Sequence, residues 1–90
     1  MEKKLTIKIV SPGQPTDKRI PTQADMVIMR STAGDLGVLP GRAPVSLALC
    51  NGIMRIMNGE VEARLLIDGG LASVNQNVIT VLTESAVLQE

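Results

Sequence analysis

Any chemistry in this 90-residue chain must come from few side chains: Asp35, Glu60, Glu62, Asp68, Glu84, Cys50 and the hydroxyls of Ser31, Ser46, Ser73 and Ser85. There is no histidine. Without an imidazole, and with no Ser-x-x-Lys spacing to supply an amine in its place, none of these serines has a base to activate it. The acids form no constellation with a second titratable partner that would make an acid/base pair. A single thiolate can build neither a zinc tetrahedron nor an internal disulfide, so Cys50 reads as a small core or half-buried residue. Gly34-Asp35-Leu36-Gly37 has the look of a phosphate loop but lacks the lysine and the strand-to-helix setting that cradle a nucleotide. Asp68-Gly69-Gly70 reads as a turn between paired strands, its glycines at positive φ. The residues therefore predict no enzyme, no cofactor and no metal.

The composition removes further classes. The chain has no Phe, Tyr or Trp and nine basic against nine acidic residues. Aromatic platforms and a basic surface are what nucleic-acid recognition needs, and both are missing, so no nucleic acid is expected as a partner. Charge is uneven along the chain, with seven basic against four acidic residues up to position 45 and two against five beyond it. The apolar runs are broken every few residues by Gly, Pro, Asn or a charge, which predicts no signal peptide, no spanning segment and no direct membrane insertion.

The elements that must position these groups read as strands. Leu5, Ile7 and Ile9 alternate with Thr6 and Lys8, placing the apolar set on one face of an extended segment that Ser11-Pro12-Gly13 ends. Pro15 and Pro21 bracket Lys18, Arg19 and Ile20, a stretch suited only to an edge strand. Residues 25–30 are apolar on both faces, as in a strand covered on two sides. Asn51-Gly52 predicts a tight hairpin between Val45–Cys50 and Ile53–Met57, and Asn58-Gly59 a second one leading into Val61–Ile67. Two more short strands follow at 71–74 and 78–83. About eight to ten short strands with turn signals between them, and no helical period, predict an all-β antiparallel β-sandwich or flattened barrel. One domain covers residues 1–84, and the tail 85–90 has the composition of a helix start.

Residues 31–44 are the least regular stretch, with three glycines and two prolines that oppose a helix. Ordering such a segment costs entropy, so something must hold it. It is read either as a wide loop packed on the sandwich through Val38 and Leu39, or as a proline-braced docking loop presenting Asp35 and Arg42, or as both.

Several motifs occur together in one order: Leu5-Thr6-Ile7-Lys8-Ile9-Val10-Ser11-Pro12, then Gly34 to Pro44, Asn51-Gly52-Ile53-Met54-Arg55-Ile56, Asp68-Gly69-Gly70 and Asn77 to Glu84. In this the chain closely resembles the epsilon subunit of rotary F-type ATP synthases, from about residue 4 to residue 86. The resemblance implies a ten-stranded β-sandwich in the central stalk, bound to the gamma subunit and seated on the membrane's proteolipid ring. It would turn with that rotor, couple ion translocation to ATP synthesis without catalysis of its own, and sit peripherally at the cytoplasmic face of the bacterial cell membrane. The Gly34–Pro44 segment is implied near the ring, with the acid at Asp35, and Ser11 and Arg42 near gamma. The interface candidates are thus Ser11, Asp35, Leu36, Val38, Leu39 and Arg42. Two departures stand out: the family usually has histidine where Arg42 stands, and its members commonly continue into an inhibitory carboxy-terminal pair of helices, which this sequence stops short of. A reading from another class is a free-standing β-sandwich module that recruits a protein through residues 34–44.

Overall fold

A computed structural model describes residues 4–12 and 18–89. The expectations for Gly13, Pro15 and the last residue lie outside them. Ten strands and no helix make up the described residues: β1 (Leu5–Val10), β2 (Gln23–Ala24), β3 (Met26–Ser31), β4 (Gly34–Val38), β5 (Val45–Leu49), β6 (Gly52–Asn58), β7 (Val61–Ile67), β8 (Gly70–Asn75), β9 (Val78–Leu82) and β10 (Ala86–Gln89). The all-β sandwich expected from the alternating pattern is what forms. Alternation does its work plainly in β1, where Leu5 and Ile7 are buried and Lys8 is exposed, and in β9, where Ile79 and Val81 are buried.

A single sheet runs β10-β7-β6-β3-β5-β8-β9-β1-β2, with β4 added at β3. It divides into two layers, β10-β7-β6-β3-β4 and β5-β8-β9-β1-β2, which β3 joins by pairing Ser31 with Leu49. Val27, Met29, Met54, Ile56 and Leu65 from one layer and Leu5, Val74, Ile79 and Val81 from the other form one buried cluster. Two buried methionines occupy volume that aromatic rings would otherwise fill. One pair departs from the antiparallel pattern: β1 lies parallel to β9, Thr6 opposite Val78 through Val10 opposite Leu82.

Long strands turn a corner to make the layers. β6 pairs with β7 as far as Gly52–Ile67, and β5 with β8 from Leu49–Gly70, with no slip of register between them. In the same way β8–β9 pairing at Leu71–Leu82 continues into β7–β10 pairing at Ile67–Ala86, bridged by the Asp68 N–H donating to the Ser85 carbonyl at 3.1 Å. Cys50-Asn51, Asp68-Gly69 and Thr83-Glu84-Ser85 are therefore a ridge over which three strands bend from one layer into the other.

This corrects two expectations. Asn51-Gly52 is no hairpin turn, since β5 pairs with β8 and β6 with β7 and β3. Asp68-Gly69-Gly70 likewise joins strands that do not pair with each other, though both glycines do take positive φ, 62° and 111°. A turn-forming dipeptide marks a change of direction without saying whether the chain reverses beside itself or folds over an edge. The corner is tight: a Cβ placed on Gly70 would lie 1.9 Å from the Leu82 carbonyl oxygen.

Three further differences are local. The edge strand near the second proline is Gln23–Ala24, while Lys18 to Ile20 form turns and a bend. The helix-like stretch from Ala86 to Gln89 is strand β10, because the free edge of β7 offers it a ladder whereas so short a helix has nothing to support it. Residues 34–38 are also a strand, β4, closed on β3 by a two-residue loop at Thr32-Ala33. Gly34 reaches φ 111° there, and the Ser31 hydroxyl donates to its carbonyl at 2.7 Å.

Candidate functional site: two outer faces beside a ridge

Because strands alternate, each layer has an outer face, and the apolar residues left on it lie in rows fixed by register. Ala48 pairs with Leu71, Leu71 with Leu82, and Leu82 with Val10. Val10, Leu71 and Leu82 are 54, 58 and 48 % exposed, so four strands build one apolar ladder beside the ridge. A smaller row, Ile53–Leu66–Val87, crosses the other layer on the far side of the ridge. Neither row shows in the sequence: a single exposed apolar residue per strand carries no signal, and only cross-strand pairing reveals that they meet.

The charged groups sit around these rows. Ser11 follows Val10 at the ridge, and its hydroxyl donates to the Glu84 carbonyl at 2.7 Å. Asp35 is exposed on β4, opposite Arg30, whose guanidinium lies 3.9 Å away. Beside the second row, Arg55 donates from Nε and Nη2 to Glu62 Oε1 at 3.0 and 2.7 Å, and Arg64 donates to Oε2 at 2.7 Å. Arg55 and Arg64 are directly paired across the strands, so Glu62 offsets a repulsion between like charges. Hydrogen bonds from Arg55 first and Arg64 second hold the Glu62 carboxyl below its ordinary value. At the opposite end Asp25 is held low by the Lys4 side chain and then by the Gly59 N–H.

The predicted interface residues do not form one patch. Leu39 is 55 % exposed, and the turn that follows it is closed by the Arg42 N–H donating to its carbonyl at 3.3 Å. That turn is tied to the far end of the sheet, where the Gly41 N–H donates to Asn77 Oδ1 at 2.7 Å. Ser11 and Arg42 thus lie beyond opposite ends of β9, roughly 20 Å apart along the strand direction. Asp35 stands at the ridge end of β4 and Arg42 beyond its other end. Val38 is fully buried and Leu36 packs partly against the core. Val38, named as an interface candidate, is turned by β4 into the sandwich and anchors the segment in the core. Of the two residues expected to pack residues 31–44 onto the sandwich, Val38 does so and Leu39 does not, while Asp35 and Arg42 are exposed. Cys50 is half-buried at the ridge.

Among the described residues no group of acids and thiols could hold a metal, and no helix is long and apolar enough to cross a membrane. What the surface offers is two apolar rows, with charges at their margins.

Residues 4–89 match the family described as the beta-sandwich domain of the ATP synthase delta/epsilon chain. The chain is 40 % identical to the ATP synthase epsilon chain of Frankia casuarinae, over 93 % of its own length and 96 % of that relative. It is 37 % identical to the epsilon chain of a Cyanothece species, covering 91 % of itself but 57 % of the relative, and 40 % identical to that of Granulibacter bethesdensis, with 58 % of the relative covered. The chain thus spans little more than half the length of most of these relatives. Its fold matches a chain in the cryo-EM structure of the Euglena gracilis mitochondrial ATP synthase OSCP/F1/c-ring assembly, with a TM-score of 0.82 at 24 % identity over 94 % of this chain and 53 % of that one.

Proposed function

Since the chain belongs to the ATP synthase delta/epsilon family, we propose that it is a non-catalytic rotor subunit that joins the gamma subunit to the proteolipid ring at the cytoplasmic face of the bacterial membrane. The gamma subunit covers the outer face of β5-β8-β9-β1, with Ser11 at one end and Arg42 at the other. The ladder Ala48–Leu71–Leu82–Val10 is the observation that carries this: apolar side chains in register on a flat layer are costly to leave in water and suit a broad protein contact. Asp35 stands on the other layer, at its β4 edge, where it meets the ring as a rim charge.

A subunit in this position transmits torque, which asks for stiffness and two separate contacts and no reactive group. Strand pairs whose register is kept across the ridge supply the first, because one layer cannot rotate against the other without tearing register in β5–β8 and β6–β7 together. Binding measurements with the gamma subunit test the assignment. Leu71→Asp and Leu82→Asp are each expected to weaken the complex at least tenfold, whereas Val61→Asp at the distant β6–β7 hairpin leaves it unchanged. Equal effects at all three positions would count against this face. Calorimetric titration of the chain with ATP is expected to show no binding in the micromolar range.

A further inference from the structure

Two contacts meet Asn58 and Gly59, at the turn between β6 and β7, and a third links the groups that make them. The Lys4 ammonium donates to Asn58 Oδ1. The Gly59 N–H donates to Asp25 Oδ2 at 2.6 Å, and the same lysine reaches Asp25 Oδ1 at 2.8 Å. Asn-Gly is the dipeptide in which a backbone nitrogen most readily attacks the preceding side-chain amide, because glycine has no Cβ to hinder the approach. Around Gly59 the space is open, with nothing within 4 Å of where a Cβ would stand. The two partners of that reaction are the two groups contacted here. A carboxylate holds the proton of the nucleophilic nitrogen, and an ammonium faces the oxygen on which negative charge develops.

We propose that Asn58-Gly59 is a self-modification site, at which Asp25 and Lys4 assist cyclisation to a succinimide and loss of ammonia. The Gly59 N to Asn58 Cγ bond forms as the amide proton passes to Asp25 Oδ2, and the carbonyl electrons move onto Oδ1 beside Lys4. Collapse of that intermediate restores the carbonyl and breaks the Cγ–Nδ2 bond. The departing amine takes the proton from Asp25 and leaves as ammonia, so the carboxylate is regenerated. Water then opens the ring at either carbonyl, giving aspartate or isoaspartate at position 58. The new carboxylate stands beside Asp25 and competes with it for Lys4.

The sequence carries its own control. Asn51-Gly52 is the same dipeptide, with Asn51 exposed at the ridge and Gly52 half-buried against the Arg30 side chain, and among the described residues no carboxylate or ammonium is hydrogen-bonded to its side chain or to the Gly52 nitrogen. If the Lys4–Asp25 contacts only braced the turn, they would restrain Asn58 and slow its loss of ammonia, so the sign of the effect separates the two roles.

Peptide mapping of the folded protein during incubation at neutral pH, with detection of aspartate and isoaspartate products, reads both sites in one sample. Asn58 is expected to convert several-fold faster than Asn51. Asp25→Asn keeps an acceptor for the Gly59 N–H but removes the base, and Lys4→Gln removes the ammonium; each is expected to slow Asn58 several-fold and leave Asn51 unchanged. In urea the wild-type rates at the two sites should converge. Conversion at Asn58 no faster than at Asn51 in the native wild type, or variants that accelerate Asn58 or leave it unaltered, would overturn the proposal.

Discussion

At the scale of single residues, the glycines at the ridge and at the hairpins ask for different things. Gly70 combines φ 111° with a Cβ position 1.9 Å from a backbone oxygen that cannot swing aside. Gly59 has φ 65° with open space around it, so a side chain there meets only the intrinsic penalty of the left-handed region. Urea denaturation should therefore show Gly70→Ala losing about 3 kcal/mol or more, and Gly59→Ala about 1 kcal/mol. Similar losses at both sites would mean that the corner relaxes around the new methyl group. The carboxylates give a second residue-level expectation. Glu62 and Asp25 both have folded pKa values depressed below their ordinary 4.5 and 3.8, Glu62 by Arg55 and Arg64, Asp25 by Lys4 and Gly59. Depression means that the unfolded chain takes up protons first, so their contribution is complete above the ordinary values and is lost as pH falls through the folded ones. The urea midpoint should hold steady from neutrality to about pH 5 and then decline. Because both groups are only partly buried and solvent screens them, the decline is shallow, and Glu62→Gln makes it shallower still.

At the scale of elements, Val38 and its neighbours on and beyond β4 divide the labour of the segment that looked irregular. Val38→Ala empties space in a packed core and is expected to cost about 2 kcal/mol of folding stability. Asp35→Ala and Arg42→Ala should each shift it by less than about 0.5 kcal/mol and act on partner binding instead. Thermal or urea unfolding of the free chain checks all three, and unfolding caused by Asp35→Ala would return that residue to a structural role. The same segment marks the limit of what alternation reveals. Strands β1 and β7 are legible because apolar residues recur every second position, and β6 and β9 because turn residues bound short apolar runs. β4 is not, since two of its five residues are glycine and its order comes from pairing with β3. β10 was hidden for a related reason: Ala86 to Gln89 suits a helix locally, and only the waiting edge of β7 decides otherwise. Asn75 to Val78 shows the opposite case, a two-residue turn in which Gln76 and Asn77 take φ 51° and 63° without a glycine. The outer apolar ladder was illegible because Val10, Leu71 and Leu82 lie out of phase with the buried set of their own strands. Their meaning depends on the neighbour strand, which no local pattern encodes.

At the scale of the whole molecule, the ridge decides how the sandwich yields under load or denaturant. Were the layers separate sheets resting on a shared core, the β10-β7-β6-β3-β4 half could peel away while the other half stayed paired. Here β5–β6, β7–β8 and β9–β10 each cross between layers with register kept, so opening one half strips the other of its partners at the corner. Residues such as Met54, Leu65 and Val81 also share one buried cluster, and Leu65→Ala or Ile7→Ala should cost roughly 2 to 5 kcal/mol wherever in the sandwich the reporter sits. Unfolding is therefore expected to be a single cooperative step. Native-state hydrogen exchange tests this most directly, because the slowest amides of β6–β7 and of β8–β9 should open with the same free energy and the same dependence on denaturant. A lower opening free energy confined to one layer would show that the ridge is a hinge, and a hinged body could not carry torque from one partner to the other without storing it in the bend.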